Sequence, residues 1–192
     1  MQENFSIEAG KGTREIKEFD FQYRLKPNDI ISVKISSISP SGYNFFTASE
    51  NEINERDPLL SGFLIHENGS IELPYVGNVE LAGLTLLEAK QKLKEVAGQY
   101  LESPTVNVRL LSFQFTVLGE VGRQGRYTTY NPKTTILEAI GMAGGLNDFA
   151  ERSKIKIIRS EGENTQIFHV NVLDDNLATS EFYYLQPNDV IA

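Results

Sequence analysis

Any chemistry in this chain would have to come from a short set of side chains. Its two histidines, His66 and His169, lie far apart, and neither has a His-x-x-x-His partner or a glutamate at ligand spacing. A zinc site needs several such donors brought together, so the pattern fits two strand histidines better than metal ligands. Cysteine is absent, which removes thiolate nucleophiles, thiolate metal sites and disulfides but says little about compartment. A serine nucleophile of the elbow type would want Gly-x-Ser-x-Gly between a strand and a helix, and that pattern does not occur. Four carboxylates, Glu50, Glu52, Glu55 and Asp57, crowd a polar stretch containing Pro40 and Pro58. Glycoside hydrolysis needs an acid and a base or nucleophile on a rigid frame. A charge-rich loop without an apolar pocket does not tune a carboxyl for that work, so a solvated loop is expected.

Three further patterns have plain turn explanations. Asp174-Asp175-Asn176 lacks the Asp-x-Asp-x-Asp-Gly frame and the closing glutamate of a calcium loop, and reads as an exposed turn. Gly119, Gly122 and Gly125 are evenly spaced, yet no Gly-Lys-Ser/Thr follows and no helix starts directly after them. They fit a hairpin better than a phosphate loop. On the tip of that hairpin Arg123, Gln124 and Arg126 are placed to meet an acidic glycan or a neighbouring subunit, although solvent exposure alone accounts for them equally well. No cofactor and no metal is expected from these residues.

The elements that must position such groups are legible from pattern. The phrase Tyr23-Arg-Leu-Lys-Pro-Asn-Asp-Ile-Ile31 returns as Tyr183-Tyr-Leu-Gln-Pro-Asn-Asp-Val-Ile191. Proline presets φ at the first turn position, Asn and Asp bond their own backbone at the next, and an apolar β-branched pair begins a strand. Pro27, Asp29, Pro187 and Asp189 are therefore expected as turn determinants. The first copy runs on through Ser32-Val-Lys-Ile35, whereas the second reaches Ala192, so the second strand is expected to be cut short. Asn68-Gly69 between apolar runs predicts a type I′ hairpin over 63–73. Thr85-Leu-Leu-Glu88 and Thr135-Ile-Leu-Glu138 are capping boxes, each followed by alanine. The first starts a helix with an apolar stripe ending before Pro104, and the second a short helix stopped by Gly144-Gly145. Alternation predicts strands at 106–110, 113–117, 154–159 and 166–172. Residues 1–18 read as a tail and 39–61 as a long polar loop.

Composition bounds the partners. The 192 residues carry a net charge of −8, which disfavours a phosphate backbone and so nucleic acid. Forty per cent hydrophobic residues, with eleven Phe and eight Tyr, argue for a folded, sheet-rich body. The length favours two small domains, and no apolar run is long enough for a membrane-spanning helix. The start lacks the basic and apolar regions of a secretory signal, which fits a cytosolic protein or an expressed mature fragment with an added Met1. The interrupted last strand favours the fragment. The fold class expected is α+β, as two small domains.

From about Phe19 to Ala192 the words occur in an order that resembles the outer-membrane polysaccharide export proteins of capsule and exopolysaccharide secretion, the Wza-type family. Tyr23-x-Leu-x-Pro-Asn-Asp-Ile-Ile looks like the start of its polysaccharide export domain, and Asn68-Gly-Ser-Ile-Glu-Leu-Pro-Tyr-Val-Gly77 with Ala82-Gly-Leu-Thr85 resembles its middle. Val117-Leu-Gly-Glu-Val121, Gly125-Arg-Tyr127, Thr135-Ile-Leu-Glu-Ala139 and Ala143-Gly-Gly-Leu146 resemble an SLBB domain, a β-grasp-like unit. The resemblance implies an export domain at 19–112 and an SLBB domain at 113–192, the latter truncated at its end. It implies a non-catalytic periplasmic part of a translocon that handles a polysaccharide chain, forms a homo-oligomeric ring, meets an inner-membrane polysaccharide copolymerase and reaches the outer membrane through a lipid anchor and a crossing segment. This chain departs in having no cysteine, one SLBB-like unit and a longer 39–61 loop. The competing reading is a stand-alone SLBB-type module that holds a saccharide or a protein and forms no channel; an enzyme acting on glycans through Glu50, Glu52, Glu55 or Asp57 is the third. The recurring residues Gly69, Thr85, Gly119, Thr135 and Gly145 look like turn and cap determinants.

Overall fold

The computed structural model describes residues 19–37, 62–161 and 164–192. The tail at 1–18 and the long loop with its four carboxylates lie outside the described residues, as does the middle of the turn expected at 161–164. The fold is mixed α+β, with two helices and three sheets among the described residues.

In the N-terminal half, β1 (Ile30–Ser36) buries Ile31, Val33 and Ile35 and turns Lys34 outward, as its alternation dictates. It lies between β2 (Phe63–Leu64) and β5 (Thr105–Leu110), antiparallel to both, with Val33 opposite Val108. Helix α1 (Leu86–Ala97) lays Ala89, Leu93 and Ala97 against β5.

A separate two-stranded ladder joins β3 (Ser70–Leu73) to β4 (Gly77–Glu80) around Pro74-Tyr75-Val76. This corrects the hairpin expected over 63–73. Asn68 does not take the positive φ that a type I′ turn demands of both central residues. Its side-chain Oδ1 instead accepts bonds from the Ser70 backbone N–H at 3.1 Å and the Ser70 hydroxyl at 2.8 Å. The chain still reverses here, with Gly69 N–H donating to His66 C=O and His66 N–H to Ser70 C=O, both at 2.9 Å, while β2 pairs with β1 and β3 with β4. Gly69 holds the bend at φ 79°, where a Cβ would stand 2.8 Å from that of Ala82.

The C-terminal half is a five-stranded sheet in the order β7-β6-β10-β8-β9. Its strands are β6 (Gln114–Val117), β7 (Gly125–Thr128), β8 (Ile155–Glu161), β9 (Asn164–Val170) and β10 (Val190–Ile191). The last segment of the chain occupies the centre of this sheet, parallel to β6 and antiparallel to β8. Phe115, Val117, Ile157 and Ile191 point inward and are buried. Helix α2 (Ile136–Met142) adds Ile136, Ala139 and Ile140 to that core. It ends through Gly144 and Gly145 at φ 85° and 84°, with Gly145 N–H donating to Ile140 C=O at 2.9 Å.

One apolar core runs through both halves. Aromatic pairs join them, Phe21 stacking on Tyr184 at 5.2 Å and Tyr23 on Phe113 at 6.5 Å. Lys26 Nζ donates to Gln186 Oε1 at 3.3 Å, so equivalent positions of the two repeated phrases touch.

Candidate functional site

Both motifs that the sequence repeats come together in space, once in each half. In the first copy Asp29 N–H donates to Lys26 C=O at 3.1 Å around Pro27 and Asn28, and in the second Asp189 N–H donates to Gln186 C=O at 3.2 Å around Pro187 and Asn188. Asn28 and Asn188 have φ of 71° and 69°, the left-handed third position of a type II turn. Each aspartate reaches back over its turn, Asp29 Oδ2 accepting from Lys26 N–H at 2.9 Å and Asp189 Oδ2 from Gln186 N–H at 2.8 Å. The residue two before each proline then docks on a capping box. Leu25 N–H donates to Leu84 C=O and Leu185 N–H to Thr134 C=O, both at 2.9 Å. Thr85 and Thr135 each accept from the N–H three residues on, while Glu88 and Glu138 return the bond. The hydrogen bond from the Thr85 N–H holds the Glu88 carboxyl below its usual range.

The surroundings of the two aspartates differ. Asp29, 6% exposed, accepts from the Tyr23 hydroxyl at 2.8 Å and the Ser112 hydroxyl at 3.2 Å. Burial raises its pKa despite these bonds, and burial beside it raises that of the Tyr23 phenol. Asp189, fully buried, meets Arg159 in a two-pronged pair, Nε to Oδ1 at 2.9 Å and Nη2 to Oδ2 at 2.8 Å. The guanidinium also lies 5.9 Å from the centre of the Phe168 ring. Spacing alone did not bring out Arg159, Tyr23 or Ser112 as partners. A signal for Arg159 exists: in the run Ile155, Ile157, Arg159 it takes the inward-facing parity of β8, where a cation demands a buried partner.

Both carboxylates are buried, and each accepts hydrogen bonds from its own turn and from neighbouring side chains. Pro27, Asp29, Pro187 and Asp189 build turns; Thr85 and Thr135 cap helices; Gly69, Gly119 and Gly145 supply positive φ. Gly122 lets two loops approach, since a Cβ there would meet Gly144 C=O at 2.9 Å. His66 lies in the turn after β2, not within a strand as the alternation suggested, and His169 lies on β9. Among the described residues no three His, Cys, Asp or Glu side chains gather as metal ligands. Asp174 binds Asn176 within an exposed turn.

Arg123 and Gln124 occupy the loop between β6 and β7, where Gln124 donates to Gly119 C=O at 3.1 Å. Arg126 is not at the tip but inside β7, opposite Thr116. All three are exposed. A half-open groove of about 270 Å³ lies at one end of this sheet, walled by Leu118, Val121, Ile140, Leu146 and Ile155, with Glu151 and Lys154 also lining it. The Ser153 hydroxyl holds the Glu151 carboxyl below its usual range. Among the described residues no helix is long and apolar enough to cross a membrane.

Comparison with known proteins supplies what geometry alone does not. Residues 18–111 match the family model described as "Polysaccharide biosynthesis/export protein", and residues 114–168 match the SLBB domain. The chain is 27% identical over 146 residues to the "EPS I polysaccharide export outer membrane protein EpsA" of Ralstonia solanacearum, covering 71% of this chain and 39% of that protein. To the protein of the same name from Ralstonia nicotianae it is 30% identical over 53% of this chain and 28% of the relative. To the "Exopolysaccharide production protein ExoF" of Rhizobium meliloti it is 25% identical over 74% of this chain and 33% of the relative. The chain thus spans well under half the length of these relatives. With the two domains in the order its own words suggest, the chain belongs to the polysaccharide biosynthesis/export protein family, its export domain followed by an SLBB domain.

Proposed function

We propose that this chain is the periplasmic part of an outer-membrane translocon for a capsular or exopolysaccharide chain, and that it works without catalysis. The observation that carries the reading is the export domain followed directly by an SLBB domain, together with relatives named for polysaccharide export at the outer membrane. The two buried aspartates support a scaffold role, because each braces its own turn and ties it to neighbouring side chains. In this reading copies of the protein close a homo-oligomeric ring through heterologous contacts, an inner-membrane copolymerase delivers the polymer, and lipid or membrane-crossing segments belong to the longer protein.

Deleting the gene tests this directly. Cells should keep synthesising polymer and lose its appearance outside, with secretion restored by the full-length gene. Unchanged secretion would sink the reading. The groove at the end of the five-stranded sheet favours the other reading, a module that holds a small saccharide without any conduit. A module would leave secretion intact in the deletion strain while the purified chain bound free sugars in that groove.

A further inference from the structure

We infer that the outward face of the five-stranded sheet is a contact track for an acidic polysaccharide, one that carries carboxylate groups along its chain. This rests on the export reading and adds the class of polymer and the surface that meets it.

Strand register defines the face. Arg126 stands opposite Thr116, Thr116 beside Val190, Val190 opposite Ile158, and Ile158 opposite Ile167, one unbroken row across all five strands. At about 4.8 Å between strands that row is about 19 Å wide. On one side of it runs a hydroxyl and amide row, with Thr128 opposite Gln114 on β7 and β6 and Ser160 opposite Thr165 on β8 and β9. On the other side Leu118, Ala192, Lys156 and His169 form the next row; Ala192 exchanges backbone hydrogen bonds with Lys156 at 2.8 and 3.0 Å, and Lys156 faces His169. The face is open: Ile167 is 57% exposed, Leu118 42%, and Arg126, Lys156 and His169 are exposed.

Charge separates this face from the rest of the chain. The protein carries a net −8, yet the outward positions of these strands hold no Asp or Glu among the described residues. Arg126 and Lys156 stand three strand spacings apart, about 14 Å across the sheet, and in adjacent rows along it. Arg123 and Lys154 sit at the margins. Glu120 and Glu151 line the groove below, the latter engaged by Ser153 and Lys154.

A carboxylated glycan fits each feature. A guanidinium takes a carboxylate with two parallel hydrogen bonds and an ammonium takes one as a point charge. Thr, Ser and Gln side chains exchange bonds with sugar hydroxyls, and Val190, Ile158 and Ile167 meet the C–H faces of the rings. The alternative occupant, a second copy of the chain, is disfavoured by composition. Interface cores are enriched in aromatic side chains and depleted of charge, whereas this face carries cations and no outward Phe, Tyr or Trp. Screened, solvent-facing pairs on a flat surface are individually weak, which suits a polymer that must move past.

The test titrates the full chain, 15N-labelled, with oligogalacturonate and with neutral malto-oligosaccharide. The inference expects shifts on the β7, β10, β8 and β9 backbone with the acidic sugar only, weakened by salt and by about fivefold for Arg126→Ala or Lys156→Ala. Equal binding of the neutral sugar, or shifts confined to Val121, Ile140 and Leu146 on the groove wall away from the face, would overturn it. So would concentration-dependent dimerisation abolished by Ile167→Asp, which would assign the face to a second copy. If deletion of the gene blocks secretion but Arg126→Glu with Lys156→Glu secretes normally and the oligogalacturonate shifts are absent, this inference falls and the export reading stands. If deletion leaves secretion intact, the export reading falls, whatever the sugar titration gives.

Discussion

The turn before β1 and the turn before β10 share one backbone, and they hold their aspartates by different chemistry. Both place Pro and Asn at the same positions, both let the aspartate accept the N–H three residues back, and both seat the preceding leucine on a helix cap. At Asp29 the remaining partners are neutral hydroxyls; at Asp189 the partner is a buried guanidinium. A type II turn with an aspartate brace is therefore a portable unit, and what surrounds it decides whether the carboxylate costs or contributes stability. A buried carboxyl without a cation is raised in pKa and works against its ionised form. A buried ion pair is sensitive to the loss of either member.

The largest expected effect follows from that asymmetry. Asp189→Asn keeps an acceptor for Gln186 N–H but leaves Arg159 charged and buried, and should cost roughly 3–5 kcal/mol in urea denaturation. Asp29→Asn can satisfy the same backbone donor and should change stability at neutral pH by no more than about 1 kcal/mol. Equal losses at the two sites would break the comparison.

Helix caps give the next effect. Thr85→Ala and Thr135→Ala should each cost about 1 kcal/mol, because the same reciprocal capping box is present in both halves. A clear difference between them would show that the two turn-and-cap units are not energetically equivalent. Tyr23→Phe removes one of the three donors to Asp29 and should cost about 1 kcal/mol or less, since Lys26 N–H and Ser112 still reach the carboxyl.

The smallest effect sharpens the comparison through pH. Asp29 titrates above its ordinary 3.8 in the folded chain, so the folded state binds its proton more tightly. Its contribution to stability is present below 3.8 and is lost as pH rises through the raised value. Glu88 runs the other way: its lowered pKa contributes stability above 4.5 that is lost as pH falls. Subtracting the Asp29→Asn stability profile from that of the wild type isolates the first trend. A difference that grows in favour of the wild type with rising pH would contradict it.

Much of this arrangement was legible in the residues. The repeated phrase, both capping boxes, the Gly144-Gly145 stop and the alternation of β1, β5 and β6 are local signals, and local backbone chemistry decided each of them. What escaped depends on residues far apart in sequence. Ser112 meets Asp29, and Arg159 meets Asp189, only because the fold brings them there. The Asn68-Gly69 signal marked the reversal of the chain but not the strand partners, since β2 pairs with β1 and β3 with a strand beyond Tyr75. The central place of β10 was hidden as well: two residues carry no period, and the parallel partner lies more than seventy residues upstream. At the candidate site, Arg126 was singled out for its charge, while its row-mates Ile158 and Ile167 become visible only through cross-strand register.

Central to the account is the claim that the duplicated aspartates are structural and that the chain serves export without chemistry of its own. Secreted polysaccharide per unit of folded protein, measured in a deletion strain complemented with the full-length Asp29→Asn variant, tests it most directly. The account predicts secretion equal to wild type at matched folded abundance. A fully folded Asp29→Asn protein that secretes nothing would contradict it and place chemistry at that carboxylate.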